Sequence, residues 1–137
     1  GLDRMLSYDW LNRSVQQALH SLNLPVDLAD QEISSEVDRL SMICFTNPTR
    51  YDVLLGDRKV AGSAQRRSKD GILHQGSLHF GGPLPVARAA LAEAMLKGFS
   101  EVMKVHTEAF QPDATLLEAI EQRSCQKYAT DQWNARR

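Results

Sequence analysis

The sequence predicts an α+β fold in which one helix is followed by a small sheet and then by further helices, and three observations carry that expectation. Apolar residues between Ser7 and Leu24 recur at mixed three- and four-residue spacings. A block rich in β-favouring residues and punctuated by turn residues runs from Arg50 to Phe80. The stretch VARAALAEAMLKGFSEVM, beginning at Val86, is composed largely of strong helix formers.

Each element has a local cause. Trp10, Leu11, Val15, Ala18, Leu19 and Leu22 form the stripe of an amphipathic helix, stopped by Pro25. From Val26 to Leu40 the sequence is acidic and weakly periodic, which predicts a connector with one short helix. RYDVLL from Arg50 to Leu55, the turn at Gly56 and Asp57, the extended run from Lys59 to Gln65 and the segment ILHQGSLHF after Gly71 predict three antiparallel strands. Gly81, Gly82, Pro83 and Pro85 then stand just ahead of the second long helix, where proline is well placed. Pro112 and Asp113 open another helical pattern, ATLLEAIEQRSCQKY, and Thr130 and Asp131 cap a last turn carrying Trp133. With no internal repeat, low-complexity segment or linker long enough to mark a second domain, residues 1–137 read as one unit.

Composition narrows the function. Sixteen basic against seventeen acidic residues give a net charge of -1, which argues against nucleic acid or an anionic membrane as the main partner. No run approaches the roughly 20 apolar residues of a membrane span, and GLDRMLSYDW lacks the apolar core of a signal peptide. Cys44 and Cys125 are far apart and without metal-type spacing, so free thiols in a cytoplasmic protein are expected, with no metal site.

Few residues can carry chemistry. Lys59 follows a tight turn and precedes the small residues Ala61, Gly62, Ser63 and Ala64, so its strand can admit a ligand. A cation there neutralises a carboxylate or phosphate, or the oxyanion of acyl transfer; the alternative is a solvated lysine beside a hairpin turn. Cys44, in MICFTNPTRYDV, is either a nucleophile activated by a nearby cation such as Lys59 or a small buried hydrophobe. Arg66 and Arg67 either hold phosphate oxygens or end the strand in solvent. His74 and His79 have no nameable partner and read as structural or surface residues, and Cys125 falls in a helical pattern where it packs. Leu91, Met95, Phe99 and Met103 form one helical stripe, read as core, from which an acyl tunnel could borrow.

The run RKVAGSAQRR from Arg58, followed by ILHQGS, resembles the acyl-site signature of the lipoate ligase and octanoyltransferase family. The resemblance implies a class II aminoacyl-tRNA synthetase or biotin-protein-ligase-like α+β fold, here a partial mixed or antiparallel sheet packed with helices. Lys59 would contact the acyl carbonyl or the acyl-adenylate phosphate, with Gly62, Ser63, Ala64, Gly76 and Ser77 binding substrate. Cys44 and Phe45, upstream of the Tyr51-Asp52-Val53 strand, are similar to the segment in which octanoyltransferases carry the acyl group on a thiol. Lys127, Tyr128 and Trp133 resemble the KY...W ending of the family's catalytic domain.

Two departures accompany the match. The family places histidine directly before Gly-Ser, whereas Gln75 stands there and His74 one place earlier, on the opposite side of a strand. The upstream arginine and glycine-rich segment has no counterpart, so residues 1–137 correspond to the C-terminal part of one catalytic domain whose missing N-terminal half belongs either to a longer protein of which this is a fragment or to a separate partner polypeptide. The expected activity is acyl transfer to a lysine of a lipoyl-domain protein through a Cys44 thioester. The acceptors implied are the E2 component of 2-oxoacid dehydrogenases and the glycine cleavage H protein. The donor implied is octanoyl-acyl-carrier protein or lipoate, with no tightly bound cofactor. The alternatives are an ATP- and Mg-dependent ligase forming lipoyl-AMP, in which Cys44 merely packs, and a non-catalytic binding module of the same fold.

Overall fold

The computed structural model describes residues 3–30 and 48–135. They fall into two compact units, Gly1–Thr107 and Glu108–Arg137.

The first unit opens with α1 (Arg4–Ser21), which begins earlier than the apolar stripe predicts because Asp3 caps it. The Asp3 carboxylate accepts the Leu6 N–H at 3.0 Å, and that hydrogen bond holds its carboxyl below the usual range. The helix ends where Asn23 turns into the left-handed region at φ 59°, leaving Leu24 N–H to close on Leu19 O at 3.0 Å. The sheet is antiparallel with order β1-β2-β3-β4, built from Val26–Leu28, Val53–Leu55, Arg58–Ser68 and Gly71–Leu78. Three of these strands answer the sequence expectation. The first, β1, falls where a connector was expected; three residues are too few to display a period of two.

Val53 pairs with Ala61 and Leu54 with Lys59, so two residues of β2 face three of β3 and Val60 is the extra one. The bulge turns both Val60 and Ala61 into the core beside Val53, Leu19, Phe80 and Leu91. It also leaves Lys59 and Gly62 on the same side of the sheet, the side away from α1. α2 (Arg88–Met103) packs on α1 through Gly98, where a Cβ would overlap Ser14 O and stand 3.0 Å from the Ala18 Cβ.

The second unit holds α3 (Ala114–Arg123), a π-helical turn over Ser124–Tyr128 in place of the continuous helix the sequence suggests, and α4 (Asp131–Asn134). Asp113 caps α3 by accepting the Leu116 N–H at 2.8 Å. Lys127 Nζ lies 4.4 Å from the Trp133 ring centroid, and Tyr128 meets Trp133 edge-on at 5.3 Å. Cys125, expected to pack, is exposed because α3 and this turn bury none of their residues. Among the described residues no helix is long and apolar enough to cross a membrane.

Candidate active site on the β3–β4 hairpin

Lys59 is the most constrained polar residue of the hairpin. Although it follows a turn, it is buried, and its Nζ lies 2.7 Å from Asp52 Oδ2, which is buried as well. The bulge sets this geometry: with Val60 turned inward, the Lys59 side chain runs along the opposite face and across Gly62. A Cβ on Gly62 would stand 2.5 Å from Lys59 Cε and 2.9 Å from Nζ, so the absence of a side chain there makes the path of the lysine possible.

Asp52 is fixed from its own side. Its Oδ2 also accepts the Thr49 N–H at 2.6 Å and the Thr49 hydroxyl at 2.9 Å. Sequence reasoning assigned neither Asp52 nor Thr49 a role. The available signal was alternation: an acid one place before β2 shares a face with the residue opposite Lys59.

The residues expected to bind substrate divide between the two faces. Gly62 pairs with Ser77 and Ala64 with Gln75, and directly paired residues share a face, so these four lie on the Lys59 side. Ala64, Gln75 and Ser77 are exposed there, giving an open floor beside a buried ammonium. Arg66 and Leu73 continue this face, with Leu73 65% exposed.

Ser63 and Gly76, also a pair, face the helices. The Ser63 hydroxyl donates to Asn12 Oδ1 at 3.4 Å, and Gly62, Ser63, Gly76 and Ser77 together line, with Met95 and Phe99, a groove of about 290 Å³, which Gly62 and Ser77 border although their positions alternate to the Lys59 face. The Met95 and Phe99 positions of the α2 stripe thus border space rather than filling it completely.

His74 lies on this helix side. Its Nδ1 is 3.3 Å from Gln65 Nε2, its ring meets Tyr8 edge-on at 6.0 Å, and partial burial lowers its pKa below the ordinary histidine value. Gln75, not His74, therefore shares the Lys59 face. Arg67, a candidate phosphate holder, donates from Nη2 to Ser7 Oγ at 2.6 Å and to Gln65 Oε1 at 3.1 Å, tying β3 to α1. Cys44 lies outside the described residues. Among the described residues no cluster of three or more His, Cys, Asp or Glu could hold a metal ion.

A buried, anchored ammonium beside an open strip of small residues can donate hydrogen bonds to a carbonyl or phosphate oxygen brought to that face. The sequence is 25% identical over 174 aligned positions to the octanoyltransferase LipM of Exiguobacterium sibiricum, with 96% of this chain and 61% of the relative covered. It is 30% identical over 132 positions to LipM of Anoxybacillus flavithermus, covering 71% of this chain and 48% of the relative. The first alignment is longer than the chain itself, so that relative carries residues with no counterpart here.

Among solved structures, Ta0514 of T. acidophilum, described as a lipoate protein ligase and holding lipoic acid, matches with a TM-score of 0.72 at 18% identity over 98% of this chain and 59% of that one. Lipoate-protein ligase A bound with ATP gives the same TM-score and identity, covering 60% of its chain. The chain thus spans about 60% of the length of the proteins it matches over its whole extent. The architecture is the class II synthetase-like α+β fold of these ligases. Residues 2–123 match the lipoyl protein ligase A/B catalytic domain, and the chain belongs to that family.

Proposed function

We propose that this chain is the C-terminal part of a catalytic domain that transfers an octanoyl group to a lysine of a lipoyl-domain protein. The observation that carries the proposal is the Lys59 ammonium, buried against Asp52 and facing the open Gly62–Ser77 strip. Similarity to octanoyltransferases along 96% of the chain favours transfer from a thioester donor.

In the first step the Cys44 thiolate attacks the octanoyl thioester carbonyl of an acyl-carrier protein, and the carrier's thiolate leaves. In the second, the acceptor lysine amine attacks the Cys44 thioester, forms the amide, loses a proton and releases the Cys44 thiolate. Lys59 donates a hydrogen bond to the carbonyl oxygen as it gains negative charge in both steps. Gly62, Ala64 and Ser77 leave room for the acyl group over the sheet. Ser63 and Gly76 bind substrate from the groove they line with Gly62 and Ser77. The acceptors are lipoyl-domain proteins such as 2-oxoacid dehydrogenase E2 and the glycine cleavage H protein, in the cytoplasm, and no tightly bound cofactor is needed.

The test is mass spectrometry of the full-length protein after incubation with octanoyl-acyl-carrier protein. An octanoyl adduct on Cys44, discharged by an acceptor lipoyl domain, is expected. No adduct, with lipoylation that needs ATP, releases pyrophosphate and survives Cys44→Ala, would overturn the thioester route. That outcome would favour the ligase reading, which the likeness to an ATP-bound ligase supports.

A further inference from the structure

Lys59 and Asp52 meet at 2.7 Å with both side chains nearly sequestered from water. A buried ion pair is a poor means of stabilising a fold, because apolar residues of similar volume often serve as well or better. The surroundings of this pair hold it in one arrangement.

Asp52 Oδ2, the oxygen that meets Lys59, accepts two further hydrogen bonds from Thr49. The Asp52 N–H donates to Thr49 O at 2.9 Å, closing a tight turn, and Tyr51 within that turn takes φ 73°, a left-handed conformation that side chains of its size rarely adopt. The Tyr51 N–H donates to Ala29 O at 2.7 Å and the Ala29 N–H to Asp52 O at 2.8 Å, so the turn is tied to the chain beyond β1. Strain of this kind persists where the neighbouring structure over-determines it, and it concentrates at functional sites. On the lysine side, the Val60 bulge and the bare Gly62 make room for the path that the side chain takes.

From this geometry we infer that Asp52, anchored by Thr49, is the positioning residue for Lys59, an inference that rests on the proposed function of Lys59. Asp52 takes one N–H of the ammonium and thereby sets the direction of the others. The carboxylate also cancels most of the charge of the ammonium, so Lys59 acts as an oriented donor more than as a diffuse positive field. Catalysis then depends on where Nζ sits, within a fraction of an ångström.

Variants of the full-length protein test this. Asp52→Glu keeps the ion pair but lengthens the arm by one methylene, and Thr49→Val keeps the pair but loses the hydroxyl anchor. Asp52→Asn leaves a buried charge unpaired and can fail to fold, so the first two variants decide. Asp52→Glu is expected to lose kcat by about tenfold or more, and Thr49→Val by less, with KM for the octanoyl donor within about twofold and both variants, though lower-melting, still fully folded at the assay temperature. Full kcat in Asp52→Glu overturns the inference. So does a raised KM at constant kcat, or a kcat loss that disappears at temperatures where the variant is fully folded. Lys59→Ala leaves the Asp52 carboxylate unpaired in its turn, so it is assayed at a temperature where its melting curve shows it folded, and there it separates the two levels: wild-type kcat in that variant removes the proposed role of Lys59 itself. Its loss there, beside full kcat in Asp52→Glu, removes the role of Asp52 alone.

Discussion

Substituting Gly62 by alanine places one methyl group against the working end of Lys59. The new Cβ would sit 2.5 Å from Cε and 2.9 Å from Nζ, whereas carbon atoms in contact rest at about 3.5–4.0 Å. The lysine tail must therefore retreat by about 1 Å, and misplacement on that scale costs a reaction as much as about 100-fold, close to 2.7 kcal/mol of barrier. The displaced atoms are the flexible end of a side chain and not backbone, so the fold should lose only about 1–3 kcal/mol, as in other overpacked sites. Octanoyl transfer by the full-length Gly62→Ala protein, followed beside its thermal unfolding, checks both halves. Activity within about twofold of wild type would refute the view that Gly62 exists to admit Lys59.

Further outcomes follow from the helices and from the hairpin's helix-facing side. Gly98→Ala should destabilise the first unit by about 1–3 kcal/mol in chemical denaturation, because the new methyl meets Ser14 backbone oxygen and the Ala18 Cβ, neither of which can swing aside. His74 gives a pH signature of known sign. Burial depresses its folded-state pKa below 6.5, so the unfolded chain takes up the proton more readily. The associated stability is complete above about pH 6.5 and is lost as pH falls from there through the lower folded-state value. Melting temperatures measured between about pH 7 and pH 5 should fall more steeply for the native protein than for His74→Gln.

The fold was legible wherever a segment was long enough to display its period. α1, α2 and the β3–β4 hairpin follow from the Leu19 and Leu91 stripes and from the turn residues Gly56 and Gly71, with boundaries moved by the Asp3 cap and the Asn23 turn. β1 was hidden because three residues show no alternation, and the π-helical turn because its composition matches an ordinary helix. Lys59 and Gly62 were legible as a motif, but their contact was not. An unbulged strand puts residues three apart on opposite faces, and the extra residue Val60 brings these two together. The same bulge carries Ser63 and Gly76 to the helix side, away from Gly62, Ala64 and Ser77, a division that a list of motif residues conceals. Alternation could place Asp52 on the Lys59 face, but Thr49 and the hold it has on Asp52 escaped notice because they depend on a tight turn with a left-handed Tyr51, which no residue-type preference announces.

The central claim is that Lys59 is the oxyanion donor of an octanoyl transfer reaction, and single-turnover transfer from octanoyl-acyl-carrier protein to a lipoyl domain tests it most directly. Full-length Lys59→Ala, assayed below its own melting temperature because it leaves Asp52 buried and unpaired, should transfer about 10²–10³ times more slowly than wild type, the usual loss for removing one such donor. Equal rates in the two proteins, or a wild-type protein with no transfer to slow, would contradict it.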